Sequence, residues 1–325
     1  MAGLSTEALN PVQQEIFDRL RSPRSERPRF EPDLAPRLHL ELSNRLAAVA
    51  ARVADPALFL SKHAVEAIGG CEAKYLHDDL APFEWNTAKA RGAVAHKAIE
   101  ILVMRVDQLA PLDAVDEAIA SLTNSTASIA EWLQGCGETT RAELRSEANT
   151  NVAAFVETWP PLQRPWRPVL EGSIKTELLD GAVILSGKPD LTIGHAQGDV
   201  AGKVIVDFKT GITSVAHVAD LRFYALVDTL RVGVPPRLLA TSYLESGRLM
   251  TEEVTEDHLW STIDRVVDAA GRLVTLTAEE RDPVKRPGPA CRWCELRPGC
   301  DEGRAHLATV DDDWVDPFES EADRS

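Results

Sequence analysis

The segment from Gly187 to Gly211 constrains this chain more than any other. It opens with Gly187-Lys188-Pro189-Asp190 and closes with Val204-Ile205-Val206-Asp207-Phe208-Lys209-Thr210-Gly211. Three consecutive β-branched apolar residues leading into an acid read as a buried strand. Side chains alternate along a strand, so Asp207 and Lys209 share one face and Phe208 takes the other. A carboxylate at the end of a buried strand needs a metal or another partner beside it. Two acids and a lysine at this spacing are the parts of a metal-dependent phosphodiesterase site, because hydrolysis without a covalent intermediate uses a divalent cation to activate water and offset phosphate charge. Hard oxygen donors suit Mg²⁺ or Mn²⁺. Asp190 and Asp207 are the expected anchors, and Lys209 the group that orients water or stabilises a phosphate oxygen. The competing reading is a surface turn at Pro189-Asp190 beside an ordinary Asp-Lys pair, and the apolar run before Asp207 weighs against it.

The flanking pattern sets this strand in a mixed fold. Residues 1–57 read as a helical N-terminal extension, broken by a Pro/Arg/Ser stretch from Ser22 to Pro36, with Asn10-Pro11 as cap and first-turn proline. Ser61 caps a short helix that ends near Gly69-Gly70. Asn86 caps a longer one reaching Arg105, in which Ala90, Val94, Ala98, Ile101 and Met104 recur at helical spacing. A helical insert occupies about 106–160, interrupted near Gly135-Cys136-Gly137. Strands are expected at 168–177, 182–193, 204–209, 237–245 and 249–254, with helices at 215–232 and 256–278. This order predicts an α/β or α+β fold whose central mixed sheet is flanked by helices.

Two further groups carry chemistry. His96 ends Gly92-Ala93-Val94-Ala95-His96, and Glu100 follows one turn later on the same face. The small residues let the helix approach a sheet closely enough to deliver an imidazole to a metal. Cys291, Cys294 and Cys300 form C-x2-C-x5-C in a loop rich in proline and glycine, a spacing suited to a soft metal. Cys71 or Cys136 would supply the fourth thiolate, and both zinc and an iron-sulfur cluster accept four.

Charge and hydropathy narrow the role. With 35 Lys+Arg against 51 Asp+Glu the net charge is −16, which excludes adhesion to nucleic acid over the whole surface but not a local basic groove. Residues 311–325 hold seven acids against Arg324 alone and read as a disordered acidic tail. No apolar run of membrane-spanning length and no basic-apolar leader occur, so the expectation is a cytoplasmic protein without a membrane partner. No G-x-x-x-x-G-K-[ST] loop is present, so a separate helicase or an already free end must supply any nucleic-acid substrate. Arg91, Lys97, Lys175, Lys188 and Arg222 are candidate phosphate contacts near the site.

In order, these motifs resemble the RecB-like branch of the PD-(D/E)XK nuclease superfamily, in particular its iron-sulfur members, similar to the AddB nuclease domain and the CRISPR-associated single-strand exonucleases. The match runs through Cys71, Gly92 and His96, Glu171, Asp190, Asp207, Lys209, Tyr224 and the three C-terminal cysteines. Asp220 stands where the family's helix usually carries glutamine. The resemblance implies a restriction-endonuclease-like nuclease domain over 58–310. It implies that His96, Asp190, Asp207 and the Phe208 carbonyl hold Mg²⁺ or Mn²⁺, that Lys209 and Glu171 take part in catalysis, and that Tyr224, Asp220 and Arg222 meet the substrate. It further implies a 4Fe-4S cluster on Cys71, Cys291, Cys294 and Cys300, with zinc as the alternative. The expected activity is cleavage of DNA that is single-stranded or has free ends, in repair, recombination or defence. Its rivals are a catalytically silent DNA-binding subunit and a zinc-stapled adaptor.

Overall fold

The computed structural model describes residues 9–53, 57–81, 83–105, 109–211, 216–278 and 281–312. The N-terminal extension supplies α1 (Pro11–Leu20) and α2 (Leu34–Ala50). Strand β1 (Leu58–Ser61) leads into α3 (Lys62–Gly70), α4 (Glu72–Leu80) and the long α5 (Thr87–Met104), followed by α6 (Pro111–Thr123), α7 (Ile129–Gly135) and α8 (Glu138–Thr158). Then come β2 (Val169–Leu170), β3 (Ile174–Leu178), β4 (Val183–Gly187), β5 (Leu191–Ile193) and β6 (Val204–Lys209). Helix α9 (Ala216–Val232), β7 (Leu238–Tyr243), β8 (Arg248–Glu253), α10 (Glu256–Ala278) and α11 (Asp301–Asp312) complete the order.

Local chemistry explains the helix starts. Asn10 accepts the Gln13 backbone N–H while Gln13 reaches back to the Asn10 N–H, a reciprocal capping box with Pro11 at the first helical position. Ser61 Oγ accepts from the Ala64 N–H at 3.1 Å, and Asn86 Oδ1 from the Lys89 N–H at 2.9 Å. Each satisfies a donor that the first helical turn leaves without a partner.

The strands form two hydrogen-bonded sheets instead of the one expected: β1-β4-β3, and β2-β5-β6-β7-β8. The first pairs β1 with β4 in parallel, and the second contains a parallel β6–β7 pair joined through α9, so both are mixed. The division arises because two predicted strands break. The 168–177 strand separates into β2 and β3 at Glu171, whose φ of 51° turns the backbone into the left-handed region. The 182–193 strand separates into β4 and β5 at Lys188-Pro189-Asp190, where proline withholds the N–H a ladder requires. Both breaks fall at residues with candidate site roles, and the Glu171 N–H donates to the Asp190 carbonyl at 2.9 Å, tying them together. The short β1 was not expected at all. The acidic tail from 313 onward lies outside the described residues.

Strand β6 is buried on both faces, which accounts for its unbroken apolar start. Ile205 joins a core built from α2, α3, α9, α10 and the three-stranded sheet. Val204, Val206 and Phe208 face the opposite way, into a core with Ile16 and Leu20 of α1 and with Phe155 and Trp159 at the end of α8. A third core joins α5 to α6, α7 and α8 through Ala90, Val94, Ala98, Val115, Leu133 and Val152. Helix α5 is thus held between the insert and the sheet, and this fixes where His96 projects.

Candidate active site

The alternation expected of β6 is present. Phe208 turns into the core, edge-on to Phe155 and Trp159 at ring-centroid separations of 5.4 and 5.2 Å. On the opposite face Asp207, only 4 % exposed, meets two lysines. Lys209 Nζ lies 2.8 Å from Oδ2 and Lys62 Nζ 3.2 Å from Oδ1. Burial works against the Asp207 carboxylate, but the two ammonium groups outweigh it and hold its pKa below the usual range. The Lys209 contact is an ion pair without hydrogen-bond geometry, so the buried Oδ2 has no hydrogen bond. Thr241 Oγ1, on the β7 residue in register with Asp207, is likewise buried without one.

Asp190 connects this strand to the helix side. Its Oδ2 accepts the Phe208 backbone N–H at 2.6 Å, and its Oδ1 lies 3.3 Å from His96 Nδ1. Glu171 Oε1 approaches the same nitrogen at 3.4 Å while its Oε2 pairs with Lys188 Nζ at 2.6 Å. One ligand atom each from His96, Glu171 and Asp190 lies within 4.8 Å of the others. Burial alone would discharge His96, yet Asp190 and Glu171 push its pKa up to about 10. Negative charge is therefore concentrated where an imidazole and two carboxylates converge. This donor set, together with the unbonded buried oxygen of Asp207, suits a hard divalent ion such as Mg²⁺ or Mn²⁺.

These residues border a cleft of about 530 Å³ lined by Lys62, His96, Asp190, Asp207, Lys209 and Tyr224, among others. A second hollow of about 370 Å³, containing Glu171, Lys188, Lys97 and Glu100, lies across the wall that His96 and Asp190 share. Tyr224 sets the Cδ1–Cε1 edge of its ring against Gly187, where an added Cβ would lie 2.4 Å from it, and its hydroxyl donates to the Lys188 carbonyl at 3.4 Å. Asp220, one turn earlier on α9, is buried; burial holds its carboxyl above the ordinary range although Lys62 and Lys209 pull the other way. Arg222 is engaged by an acid. Its Nε and Nη2 donate to the two carboxylate oxygens of Glu252 of β8 at 2.8 and 2.5 Å, and it does not line the cleft. Arg91, Lys97 and Lys175 are paired with Glu147, Glu100 and Glu177 respectively.

Lys62 is the site residue that sequence reasoning missed. It follows the Ser61 cap as the first residue of α3, where a lysine reads as an ordinary surface cation. Only the fold brings it to Asp207, 145 positions away, with its ammonium 5.1 Å from the centre of the Tyr224 ring.

The four cysteines Cys71, Cys291, Cys294 and Cys300 line one cavity of about 170 Å³, whereas Cys136 sits apart between α7 and α8. Backbone N–H groups of Gly288 and Gly303 donate to the sulfurs of Cys291 and Cys300 at 3.4 and 3.3 Å. A Cβ at Gly303 would stand 3.3 Å from one of these sulfurs and 3.4 Å from the other, so glycine keeps the cradle open. Beside it the buried Glu72 receives Arg281 at 2.7 and 3.0 Å and the Val284 N–H at 2.8 Å, fastening the C-terminal segment to α4.

Comparison with known proteins places this arrangement. The sequence model of the PD-(D/E)XK nuclease superfamily matches residues 60–301, and the chain belongs to that superfamily. Its mixed α/β architecture is the restriction-endonuclease-like one, and the activity class that membership carries is hydrolysis of phosphodiester bonds. A presumptive exonuclease from Eubacterium rectale aligns over 82 % of this chain and 92 % of its own, with 15 % identity and a TM-score of 0.45. The protein SSO0001 aligns over 81 % and 95 %, with 12 % identity and a TM-score of 0.34. A search of curated proteins finds no match. Among the described residues no helix is long and apolar enough to cross a membrane.

Proposed function

We propose that the protein is a Mg²⁺- or Mn²⁺-dependent DNA nuclease, acting on single-stranded or free ends as an exonuclease or end-processing enzyme in repair, recombination or defence. The observation that carries this reading is the chain of contacts from Glu171 and His96 through Asp190 to the Phe208 N–H, which sets the His96-Glu171-Asp190 group beside Asp207 and Lys209. His96, Glu171, Asp190 and Asp207 are the residues to hold the ion, with the Phe208 carbonyl as a further oxygen donor. When bound, the ion supplies Lewis acidity toward the phosphate and lowers the pKa of the attacking water. Lys209 orients that water or a phosphate oxygen, and Lys62 holds the other side of Asp207 so that its carboxylate stays ionised and fixed. Tyr224, packed across the cleft floor, is the residue best placed to meet a sugar or base. The same reading assigns the cysteine cradle a structural 4Fe-4S cluster, supported by four thiols on one cavity and two backbone N–H groups aimed at sulfur. A separate helicase supplies ends where the substrate is duplex.

The test is an anaerobic preparation assayed on end-labelled single- and double-stranded DNA with Mg²⁺ or Mn²⁺, beside Asp207→Ala and Lys209→Ala. Cleavage by the wild type and its loss in both variants is expected. Equal cleavage by all three would sink the assignment.

A further inference from the structure

A cavity of about 820 Å³ lies apart from the carboxylate cleft. It opens where β5 ends and β6 begins, at Ile193 and Val204, the end of β6 remote from Asp207 and Lys209. Its size falls within the range of small-ligand sites, roughly 300–1,000 Å³. Much of its wall is α1 and the turn after it, residues that precede the span matched by the nuclease family.

Its chemistry is unusual for so acidic a protein. Arg237, 92 % buried by its 8 % exposure, lines the cavity. One guanidinium N–H donates to the Leu20 carbonyl, while the buried Nε has no hydrogen-bond partner. Arg27 lines the same space, its Nε donating to the Ser22 carbonyl at 3.0 Å. Among the described residues neither arginine has a carboxylate within ion-pair distance, although Asp18 and Glu26 also border the cavity; Asp18 is held by Arg21 at 3.0 Å. Burial and the neighbouring Arg27 bring the Arg237 pKa down to about 10, against a weaker opposing pull from Glu253. A buried, uncompensated cation is costly unless an anion meets it. On the same cavity Phe17 and Trp166 stack at 5.6 Å, and each is only partly buried. Guanidinium groups beside a flat aromatic surface form a receptor for an anion that carries a planar ring.

We propose that this cavity binds a nucleoside monophosphate, its phosphate between Arg27 and Arg237 and its base against Trp166. The choice of a nucleotide rests on the nuclease reading, since mononucleotides are what an exonuclease releases; the pairing of anion and ring stands on the cavity itself. Such a site lets the product report on the enzyme from a position separate from the cleavage cleft.

Calorimetric titration of the full chain, without added divalent metal, tests this with deoxyadenosine 5′-monophosphate, deoxyadenosine and inorganic phosphate. The nucleotide is expected to saturate, with the nucleoside and phosphate each at least tenfold weaker (about 1.4 kcal/mol or more). Arg27→Gln and Trp166→Leu should each weaken it at least tenfold with an unchanged unfolding midpoint, while Asp207→Asn binds as the wild type does. If Arg27→Gln shifts the midpoint, Trp166→Leu decides. No saturation by about 10 mM, phosphate as tight as the nucleotide, unaltered binding in Trp166→Leu, or loss only in Asp207→Asn overturns the proposal. A wild type that cleaves DNA but ignores the nucleotide removes this site alone, and nucleotide binding by a chain that does not cleave removes the nuclease reading alone.

Discussion

Replacing Gly187 by alanine probes how tightly the cleft floor is packed. Gly187 ends β4, three residues before Asp190, and the Tyr224 ring lies directly across it. A Cβ there would stand 2.4 Å from Cε1 and 2.7 Å from Cδ1 of Tyr224. Carbon atoms settle at about 3.5 Å or beyond, so the ring must retreat by about 1 Å. Tyr224 is 6 % exposed and packs within the core that includes Leu185 and Leu221, which leaves it little room to yield. Overpacking of this kind costs about 1–3 kcal/mol. Denaturant unfolding should show a lower midpoint at unchanged slope. Tyr224→Ala removes the atoms that clash, so Gly187→Ala added to Tyr224→Ala should cost about 1–2 kcal/mol less than it does in the wild type. Strict additivity, or a neutral Gly187→Ala, would refute the packing argument. The Tyr224 hydroxyl also holds the Lys188 carbonyl. Cleavage by Gly187→Ala should therefore fall even where the variant is fully folded.

Three other outcomes follow from the same geometry. Lys62→Met leaves Asp207 with Lys209 alone, and cleavage should fall about 10- to 100-fold with the fold retained, a range typical of a partner that holds a metal ligand; activity equal to wild type would remove Lys62 from the site. Glu72 has its pKa held below the ordinary carboxylate range by the Arg281 hydrogen bonds, against the opposing pull of burial. A depressed carboxylate contributes stability above its unfolded pKa, about 4.3, and loses it as pH falls through the folded value. Glu72→Gln should thus cost about 1–3 kcal/mol at pH 7 and show a flatter stability profile below about pH 4.3; parallel profiles for both proteins would contradict this. Cys291→Ser should yield a protein without the brown colour of thiolate-bound iron and with a lower unfolding midpoint, read by absorbance and calorimetry; a colourless wild type containing zinc would replace the cluster by a single ion.

Short-range chemistry made much of the site legible in the sequence. The Val204-Ile205-Val206 run, the shared face of Asp207 and Lys209, and the caps at Asn10, Ser61 and Asn86 are all decided by neighbours a few residues away. What escaped depends on distant partners. Leu58–Ser61 is too short to announce itself, and it becomes a strand only by pairing with Val183–Ser186. The expected strands break at Glu171 and Pro189, where the Glu171 N–H is tied to the Asp190 carbonyl, a tertiary contact that β propensity does not encode. The same break gathers Glu171 with His96 and Asp190, so Glu171 joins the candidate ion-holding group that the motif pattern limited to His96, Asp190, Asp207 and Phe208. Arg222 reads as a free cation until β8 brings Glu252 against it.

The central claim is that His96, Glu171, Asp190 and Asp207 hold the ion that cleavage requires. It is tested most directly by measuring cleavage rate against Mn²⁺ concentration for the wild type and for Asp190→Asn. The variant keeps the side-chain oxygen that receives the Phe208 N–H but loses the charge. Its half-saturating Mn²⁺ concentration should rise at least tenfold, about 1.4 kcal/mol of lost ion binding, and its maximal rate should fall. Superimposable metal curves for the two proteins would contradict the account.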